Sequence, residues 1–164
     1  MAEFELDEER AKKAYETLVK YLAISSRSEH ECREKLYDKG FHKGEVEFAI
    51  DKAKKYRYIN DEEYVRTFLV FNKTRYGAKK IEYKLTVEKG VDRTLVANMI
   101  ADELSDEFEI ALATEMATKY MKQKKIADKS GYQKVFGFLY QRGFENRIIN
   151  KVMGTIFDVV FDED

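Results

Sequence analysis

Three short stretches of this sequence end in the same way: KLYDKGF at 35–41, KLTVEKGV at 84–91 and FLYQRGF at 138–144. In each stretch a basic residue precedes a glycine, and an apolar residue follows the glycine. Glycine adopts the left-handed backbone conformation that closes a helix without strain at Cβ. A cation in the last helical turn is favoured by the helix dipole. We therefore predict that each stretch is the end of a helix.

A second helix is predicted after each glycine. The residues six, nine and ten positions beyond Gly40, Gly90 and Gly143 are all apolar. This spacing places their side chains on one face of a helix. The positions are Val46, Ala49, Ile50, Val96, Met99, Ile100, Ile149, Val152 and Met153. Each glycine therefore lies between a helix that ends and a helix that begins.

The helix before each glycine contains an apolar pair at i,i+4 spacing. The pairs are Cys32–Leu36, Ile81–Leu85 and Val135–Leu139. Leu36 and Leu139 stand four residues before their glycines, whereas Leu85 stands five residues before Gly90. We therefore predict one extra residue in the last turn of the middle helix.

A longer helix is predicted before each of these helix pairs, because apolar residues recur at helical spacing there. These helices are expected to begin near Asp7, Asn60 and Ser105. Capping residues also mark the starts of the shorter helices. The predicted caps are Ser28 with Glu31, Gly77, and Ser130 with Gln133.

The glycines lie 50 and 53 residues apart, a period typical of tandem arrays of small structural units. Three-helix units of this size are near the lower limit for independent folding, so neighbouring units should support one another. We predict an all-α protein, an elongated and curved array of three three-helix repeats. The predicted repeats span residues 1–59, 60–104 and 105–164.

Composition narrows the class of protein. The 164 residues are 44% hydrophobic and 37% charged and include no proline, which favours a folded, soluble, helical chain. No apolar run approaches the roughly 20 residues that span a bilayer, and the acidic start MAEFELDEER differs from a signal peptide. The only cysteine, Cys32, excludes an internal disulfide. A cytoplasmic protein without membrane contact is expected.

The stretch INDEEYVRTFLVFNKTRYGAKKIEYKLTVEKGV (59–91) resembles the signature of the RecX family of bacterial recombination regulators. That signature has an acidic start, an aromatic helix, an arginine, Tyr-Gly, a basic helix and Lys-Gly-Val. SRSEHECREKLYDKGF (26–41) and KVFGFLYQRGFENRIINKVM (134–153) resemble the corresponding family segments, so the resemblance covers about residues 10–157. Ala78 departs from the family, which usually has proline at this position, and the turn before Gly90 is one residue longer.

The resemblance implies a regulator that binds the RecA filament along its groove. Such a protein restrains the ATP hydrolysis, strand exchange and co-protease activity of RecA, and so affects homologous recombination, DNA repair and the SOS response. The resemblance also implies that the chain has no cofactor and no chemistry of its own. We expect a monomer, and weak contact with single- or double-stranded DNA is compatible with filament binding.

The sequence offers little support for an enzyme. His30, Cys32 and Glu34 are two residues apart, so on a helix they point in different directions and do not form one metal site. Cys32 belongs to an apolar pair and is predicted to be a buried thiol. The acidic run 61–63 suits the first turn of a helix, where it complements the helix dipole. No P-loop, CxxC, HExxH or Ser-His-Asp order occurs.

A basic surface is the strongest functional signal from the residues themselves. Residues 66–93 contain eight basic and three acidic side chains, and residues 119–134 contain six lysines and one aspartate. If Ile81 and Leu85 face the core, the opposite side of the helix at 78–89 carries cations and a tyrosine, which suits a partner surface or stacking on a base. The candidate partner- or DNA-binding residues are Arg75, Tyr76, Lys79, Lys80, Tyr83, Lys84, Lys122, Lys124 and Lys125.

Alternatives remain for each part of this interpretation. The face at 78–89 also fits an ordinary solvated surface, and the lysines near 122 also fit a charged helix end. The tail FDVVFDED (157–164) is predicted to be an acidic, frayed terminus. The alternative to a RecA regulator is a stand-alone DNA-binding module of helix-turn-helix type. The net charge of −1 and the absence of a helix rich in Arg, Asn and Gln favour the regulator.

Overall fold

The structure, a computed structural model, describes residues 6–161, with side chains to residue 158. All regular elements in this range are helical, which confirms the predicted all-α class. A π-helical turn, Lys84–Glu88, continues α5, and a 3₁₀ turn, Lys129–Gly131, precedes α8. The α-helices are α1 Glu8–Ile24, α2 Glu29–Asp38, α3 Lys43–Lys55, α4 Asp61–Asn72, α5 Ala78–Tyr83, α6 Arg93–Glu103, α7 Asp106–Gln123, α8 Tyr132–Gln141 and α9 Asn146–Phe161.

The helices follow one another in three sets of three, α1–α3, α4–α6 and α7–α9, as the sequence predicts. The longer first helix of each set begins where expected. Side-chain oxygens of Asp7, Asn60 and Ser105 each accept a hydrogen bond from the backbone N–H three residues later. These bonds satisfy N–H groups that lack a partner in the first helical turn. The predicted acidic ends of the chain lie partly outside the described residues, at 1–5 and 162–164, and residues 157–161 belong to α9 rather than to a frayed tail.

One predicted cap is confirmed and another is wrong. Ser28 accepts from the backbone of Glu31, and the Glu31 carboxylate accepts from the backbone of Ser28, so the predicted capping box forms. Ser130 does not cap α8, because Asp128 accepts hydrogen bonds from its backbone N–H and its hydroxyl. Those bonds wind residues 129–131 into the 3₁₀ turn, and α8 begins two residues after Ser130. The hydrogen bonds from Ser130 to Asp128 therefore replace the predicted cap of α8 by Ser130.

The three repeated glycines have left-handed backbones, as predicted, with φ of 89° at Gly40, 65° at Gly90 and 92° at Gly143. In the first and third repeats, the N–H after the glycine donates to the carbonyl five residues back. These bonds are Phe41 N to Leu36 O, 3.2 Å, and Phe144 N to Leu139 O, 3.3 Å. This arrangement closes a helix whose last carbonyls would otherwise lack a donor.

The extra residue predicted in the middle repeat is accommodated by a change of helix type. Lys84–Glu88 is π-helical, and Val91 N donates to Leu85 O, six residues back, at 2.9 Å. A π-helical turn contains one more residue per hydrogen-bonded ring than an α-helical turn. Leu85 therefore stays fully buried, like its counterparts Leu36 and Leu139, although the chain is one residue longer.

The chain forms two compact units. The first unit contains the residues up to Thr67 together with Leu85–Leu95, and the second contains Phe68–Lys84 together with the residues from Val96 onward. Each unit has a hydrophobic core. In the first unit the core lies among α1, α2 and α3, around Leu18, Leu36 and Ile50. In the second it lies among α7, α8 and α9, around Leu139 and Phe144.

Within the first unit, the start of α2 contacts the middle repeat, in an arrangement that we call the first joint. The Ser28 hydroxyl donates to the Lys89 carbonyl at 2.6 Å. The N–H of Glu29 donates to the Asp61 carboxylate at 2.8 Å. A Cβ atom at Gly90 would collide with the His30 ring. The glycine turn of the second repeat is therefore covered by the first turn of α2.

Within the second unit, the start of α5 contacts the third repeat in the corresponding way, in the second joint. Gly77 N donates to Arg142 O at 2.8 Å, and Lys79 N donates to Gly143 O at 3.0 Å. The N–H of Ala78 donates to the buried Glu109 carboxylate at 2.7 Å. The predicted cap Gly77 thus begins α5 without a side chain, and a carboxylate from α7 supplies the missing acceptor.

Candidate functional site

The candidate residues of the middle repeat lie around the start of α5. Arg75 is exposed in the link before α5, and Lys79 is exposed in the first turn. Tyr83, the last residue of α5, is 55% exposed. Ile81 and Leu85 are fully buried, as predicted, so Lys79 and Tyr83 lie on the solvent side of this segment.

Tyr76 organises two of the candidate lysines. Its half-buried ring has the Lys80 Nζ 4.7 Å and the Lys84 Nζ 5.2 Å from its centroid. Both distances are within the range in which an ammonium group is attracted to the face of an aromatic ring. Tyr76 therefore concentrates positive charge at one place on α5.

The same helix reaches the end of α8. The Lys79 Nζ lies 4.9 Å from the centroid of the Tyr140 ring. The Lys80 Nζ donates to the Gln141 carbonyl at 3.4 Å. The second joint thus brings the basic helix of the middle repeat against the end of α8, which Arg142 follows.

An open cleft of about 380 Å³ lies in the second unit beside this region. Three cations, Arg75, Lys119 and Arg142, line it together with the neutral residues Thr74, Met116 and Gln123 and three aromatic rings. Among the described residues that line it, none is acidic. The electrostatic potential of such a cleft favours an anionic partner.

The aromatic lining consists of Tyr76, Tyr120 and Phe138. The rings of Tyr120 and Phe138 are stacked, with centroids 4.2 Å apart and planes 5° from parallel. The Arg142 guanidinium lies over Phe138, with Cζ 5.4 Å from the ring centroid. Cations beside flat rings can hold a phosphate next to a stacked base, or a carboxylate next to an apolar side chain.

Only part of this cleft is predictable from the sequence. Arg75 and Tyr76 were candidates, but Tyr120 and Phe138 were not, and Arg142 was interpreted only as a cation at a helix end. One signal was present in FLYQRGF, because Phe138 and Arg142 have the i,i+4 spacing that places two side chains together on a helix. Nothing in the local pattern links them to Arg75, 67 positions away from Arg142.

The second group of candidates lies at the end of α7. Lys122, Lys124 and Lys125 are exposed, and Lys125 has a left-handed backbone with φ of 55°. None of the three lines the cleft, whereas Lys119, one turn earlier on α7, does. A binding role for these three lysines stays a prediction.

The structure agrees with a structural role for Cys32. Its thiol is fully buried, and burial raises its pKa to about 12, so it is protonated at neutral pH. His30 pairs instead with Glu34, at 3.0 Å between Nε2 and Oε1. Across residues 6–161, no three His, Cys, Asp or Glu side chains come together as a metal site. None of the described helices is long and apolar enough to cross a bilayer.

Two family models match the chain. The first three-helix domain of RecX matches residues 14–52, and the third matches residues 106–153. Among curated proteins, the regulatory protein RecX of Clostridioides difficile (strain 630) is 32% identical, over 96% of this chain and 74% of the relative. That of Clostridium perfringens (strain 13) is 30% identical, over 77% of this chain and 60% of the relative. The chain thus matches about 60% of the length of the C. perfringens relative.

Two solved structures share the fold. A crystal structure of RecX from Lactobacillus salivarius has a TM-score of 0.81 and 21% identity, over 90% of this chain and 97% of that chain. A crystal structure of regulatory protein RecX has a TM-score of 0.78 and 22% identity, over 93% of this chain and 81% of that chain. The fold, the matching three-helix domains and the 32% identity to the C. difficile protein show that this chain belongs to the RecX family of regulatory proteins.

Proposed function

We propose that this chain regulates RecA by binding the RecA filament on DNA, and that the cleft of the second unit carries this binding. The supporting observation is the lining of the cleft, in which three cations and three aromatic rings occur without an acidic residue. A filament on DNA offers phosphates, bases and protein carboxylates, all of which suit such a lining. Bound in this way, the protein lowers RecA's ATP hydrolysis, strand exchange and co-protease activity without chemistry of its own.

The first test is ATP hydrolysis by RecA on single-stranded DNA, with and without this protein. We expect inhibition at substoichiometric amounts, because a filament transmits a local block to many subunits. The protein alone should hydrolyse no nucleotide. Unchanged hydrolysis at equimolar protein would contradict the proposal.

The second test reverses the charge of the cleft. The triple variant Arg75→Glu, Lys119→Glu, Arg142→Glu should bind the RecA–DNA filament at least tenfold more weakly, about 1.4 kcal/mol in total. The wild type should lose affinity with added salt more steeply than this variant, because salt screens the attraction that the variant lacks. Lys80 is left unchanged, because it does not line the cleft and its Nζ donates to the Gln141 carbonyl at the second joint.

A matched control is available at the end of α7 and just beyond it. The variant Lys122→Glu, Lys124→Glu, Lys125→Glu makes the same change in net charge at exposed positions outside the cleft. We expect it to bind within about threefold of the wild type if local geometry rather than bulk charge decides affinity. Equal losses in both triple variants would remove the cleft from the proposal and support the predicted role of these lysines.

A stand-alone DNA-binding module would give a different result. It requires strong binding to duplex or single-stranded DNA without RecA, and no effect on RecA when free DNA is in excess. Measuring affinity for naked DNA and for the filament under the same salt conditions separates the two functions.

A further inference from the structure

A second cluster of aromatic side chains lies in the first unit and shares no residue with the cleft. We call it the aromatic patch; it consists of Tyr15, Phe48, Lys52, Tyr56 and Tyr58. Phe48, Tyr56 and Tyr58 are 39%, 56% and 57% exposed. They do not belong to the hydrophobic core of the first unit, and only Tyr15 packs against that core.

The members of the aromatic patch are close together. Phe48, Lys52 and Tyr56 follow one another at intervals of four along α3 and its end, which places them on one side of the helix. The Lys52 Nζ lies 4.3 Å from the centroid of Tyr15 and 6.0 Å from that of Phe48. The rings of Tyr56 and Tyr58 lie 6.4 Å apart. Burial raises the pKa of Tyr15, and the nearby hydroxyls of Tyr58 and Tyr56 raise it further by smaller amounts.

Lys52 lies near two aromatic rings, whereas each of the other described lysines beside a ring lies near one. It is half-buried between two rings, and among residues 6–161 no carboxylate lies within ion-pair distance of its ammonium group. Lys54, on the same helix, instead pairs with Glu29 at 2.8 Å. A partly desolvated cation without a counterion gains most from an anion that arrives with a binding partner.

The patch suits protein better than nucleic acid. The cleft of the second unit has three cations for three rings, whereas the patch has one cation for four rings. Tyrosine and phenylalanine around a desolvated charge are typical of the energetic centre of a protein interface.

We propose that the aromatic patch binds an acidic segment of a protein partner, with a carboxylate at Lys52 and apolar side chains against Phe48, Tyr56 and Tyr58. The proposal rests on the proposed function, in which that protein is RecA. It adds a second contact surface, on the first unit, that recognises the protein component of the filament. The cleft and the patch then divide recognition between phosphate-rich and carboxylate-bearing surfaces.

The experiment compares Lys52→Met with Lys55→Met. Both variants remove one positive charge from α3, but Lys55 is exposed and has no ring against it in the structure, whereas Lys52 lies between two rings. Binding is measured to RecA filaments and to naked oligothymidylate, with the protein labelled at its N-terminus. We expect Lys52→Met to weaken filament binding at least about fivefold and Lys55→Met to stay within about twofold. Neither variant should change the affinity for the naked strand.

A second variant protects the test against misfolding. Tyr58→Ala removes an exposed ring outside the core, and should weaken filament binding about threefold or more while leaving the circular dichroism spectrum unchanged. Wild-type affinity in both Lys52→Met and Tyr58→Ala would overturn the inference and leave the proposed function intact. An equal loss on naked oligothymidylate would overturn it in favour of nucleic acid as the occupant. If the wild type bound no RecA filament, the proposed function and this inference would fail together.

Discussion

The turns at Gly40 and Gly143 have almost the same backbone and very different surroundings. Their φ angles are 89° and 92°, and both follow a helix that ends in the same pattern. A Cβ atom at Gly143 would collide with the side chain and backbone of Lys80, whereas one at Gly40 would meet no described atom within 4 Å. The first glycine is needed for its conformation alone, and the third is needed for conformation and for space.

The surroundings also differ at a matching position on the first helix of each repeat. Asp61 and Glu109 accept the first backbone N–H of α2 and α5, which contact the turns at Gly90 and Gly143. The matching position of the first repeat carries Arg10, whose guanidinium donates to the Gly40 carbonyl at 3.0 Å. These residues each precede a fully buried residue by four positions: Ala14, Val65 and Ala113. Among the described residues no helix precedes α1 that could cover the turn at Gly40 as α2 and α5 cover the later turns.

The largest effect that tests this comparison is expected from Gly143→Ala. The left-handed backbone costs an alanine about 1–2 kcal/mol, and the collision with Lys80 adds a comparable overpacking cost, so the loss should be about 3 kcal/mol. Gly40→Ala should lose only the conformational part, about 1 kcal/mol. Urea unfolding monitored by circular dichroism measures both. Equal losses would mean that the covering helix moves aside at no cost, and the distinction between the two turns would disappear.

The next effect concerns Gly77, whose φ of −73° suits any residue. A Cβ atom there would lie 2.5 Å from the backbone carbonyl of Gly143 and the nitrogen of Phe144. Because backbone atoms cannot rotate away, Gly77→Ala should cost about 2 kcal/mol. Gly137→Ala is the control, since nothing lies near its Cβ position on α8, and it should stabilise by about 0.5–1 kcal/mol. A neutral Gly77→Ala would show that the second joint is looser than its hydrogen bonds imply.

A smaller effect distinguishes the two joints from each other. Ser28 is fully buried, caps α2 and donates to the Lys89 carbonyl, so Ser28→Ala should cost about 1.5 kcal/mol. Ser28→Gly copies the residue used at the second joint and should cost less than the alanine, because glycine is a better helix cap. The comparison is read from the midpoints of urea unfolding. Equal losses in the two variants would mean that the hydroxyl contact with Lys89, which both variants remove, outweighs the cap.

The smallest effect is a dependence on pH at the second joint. Burial raises the pKa of Glu109 from its usual 4.5, and nearby Glu145 raises it further, against the bond from Ala78. The folded state therefore binds a proton at Glu109 more tightly than the unfolded state does. The stabilisation that this protonation gives is complete below pH 4.5 and is lost as pH rises through the raised pKa. Glu109→Gln retains an acceptor for Ala78 and removes the proton.

The measurement is the difference in unfolding free energy between wild type and Glu109→Gln. As pH falls from about 7 to 4.5, the wild type should gain stability relative to the variant, whatever other groups titrate in both. Asp61→Asn should behave in the same direction at the first joint, because burial also raises the pKa of Asp61. If the wild type instead lost stability relative to the variant as the pH falls, the hydrogen bond from Ala78 would stabilise the Glu109 carboxylate more than burial destabilises it.

Much of the fold was predictable because its signals are local. Helix positions follow from apolar spacing, helix ends from glycine conformation, and the longer turn before Gly90 from one extra residue, which the structure accommodates as a π-helical turn. The failure at Ser130 has the same origin, since two capping residues lie two positions apart and the sequence does not say which one wins. The cleft was only partly predictable, because Tyr120 and Phe138 become neighbours of Tyr76 only when α7, α8 and the link before α5 pack together.

The amino-acid sequence by itself determined three repeats of three helices, left-handed glycine turns and a longer turn in the middle repeat. Each of these depends on steric and hydrogen-bonding preferences within about one or two helical turns. Only the tertiary structure decided which glycine turns are covered, which carboxylate caps which helix and where cations and rings converge. Those contacts join residues far apart in the chain, such as Ala78 with Glu109, 31 positions away, and Ser28 with Lys89, 61 positions away. Over such distances the physical reason for a pairing is the packing of whole helices, which no local pattern contains.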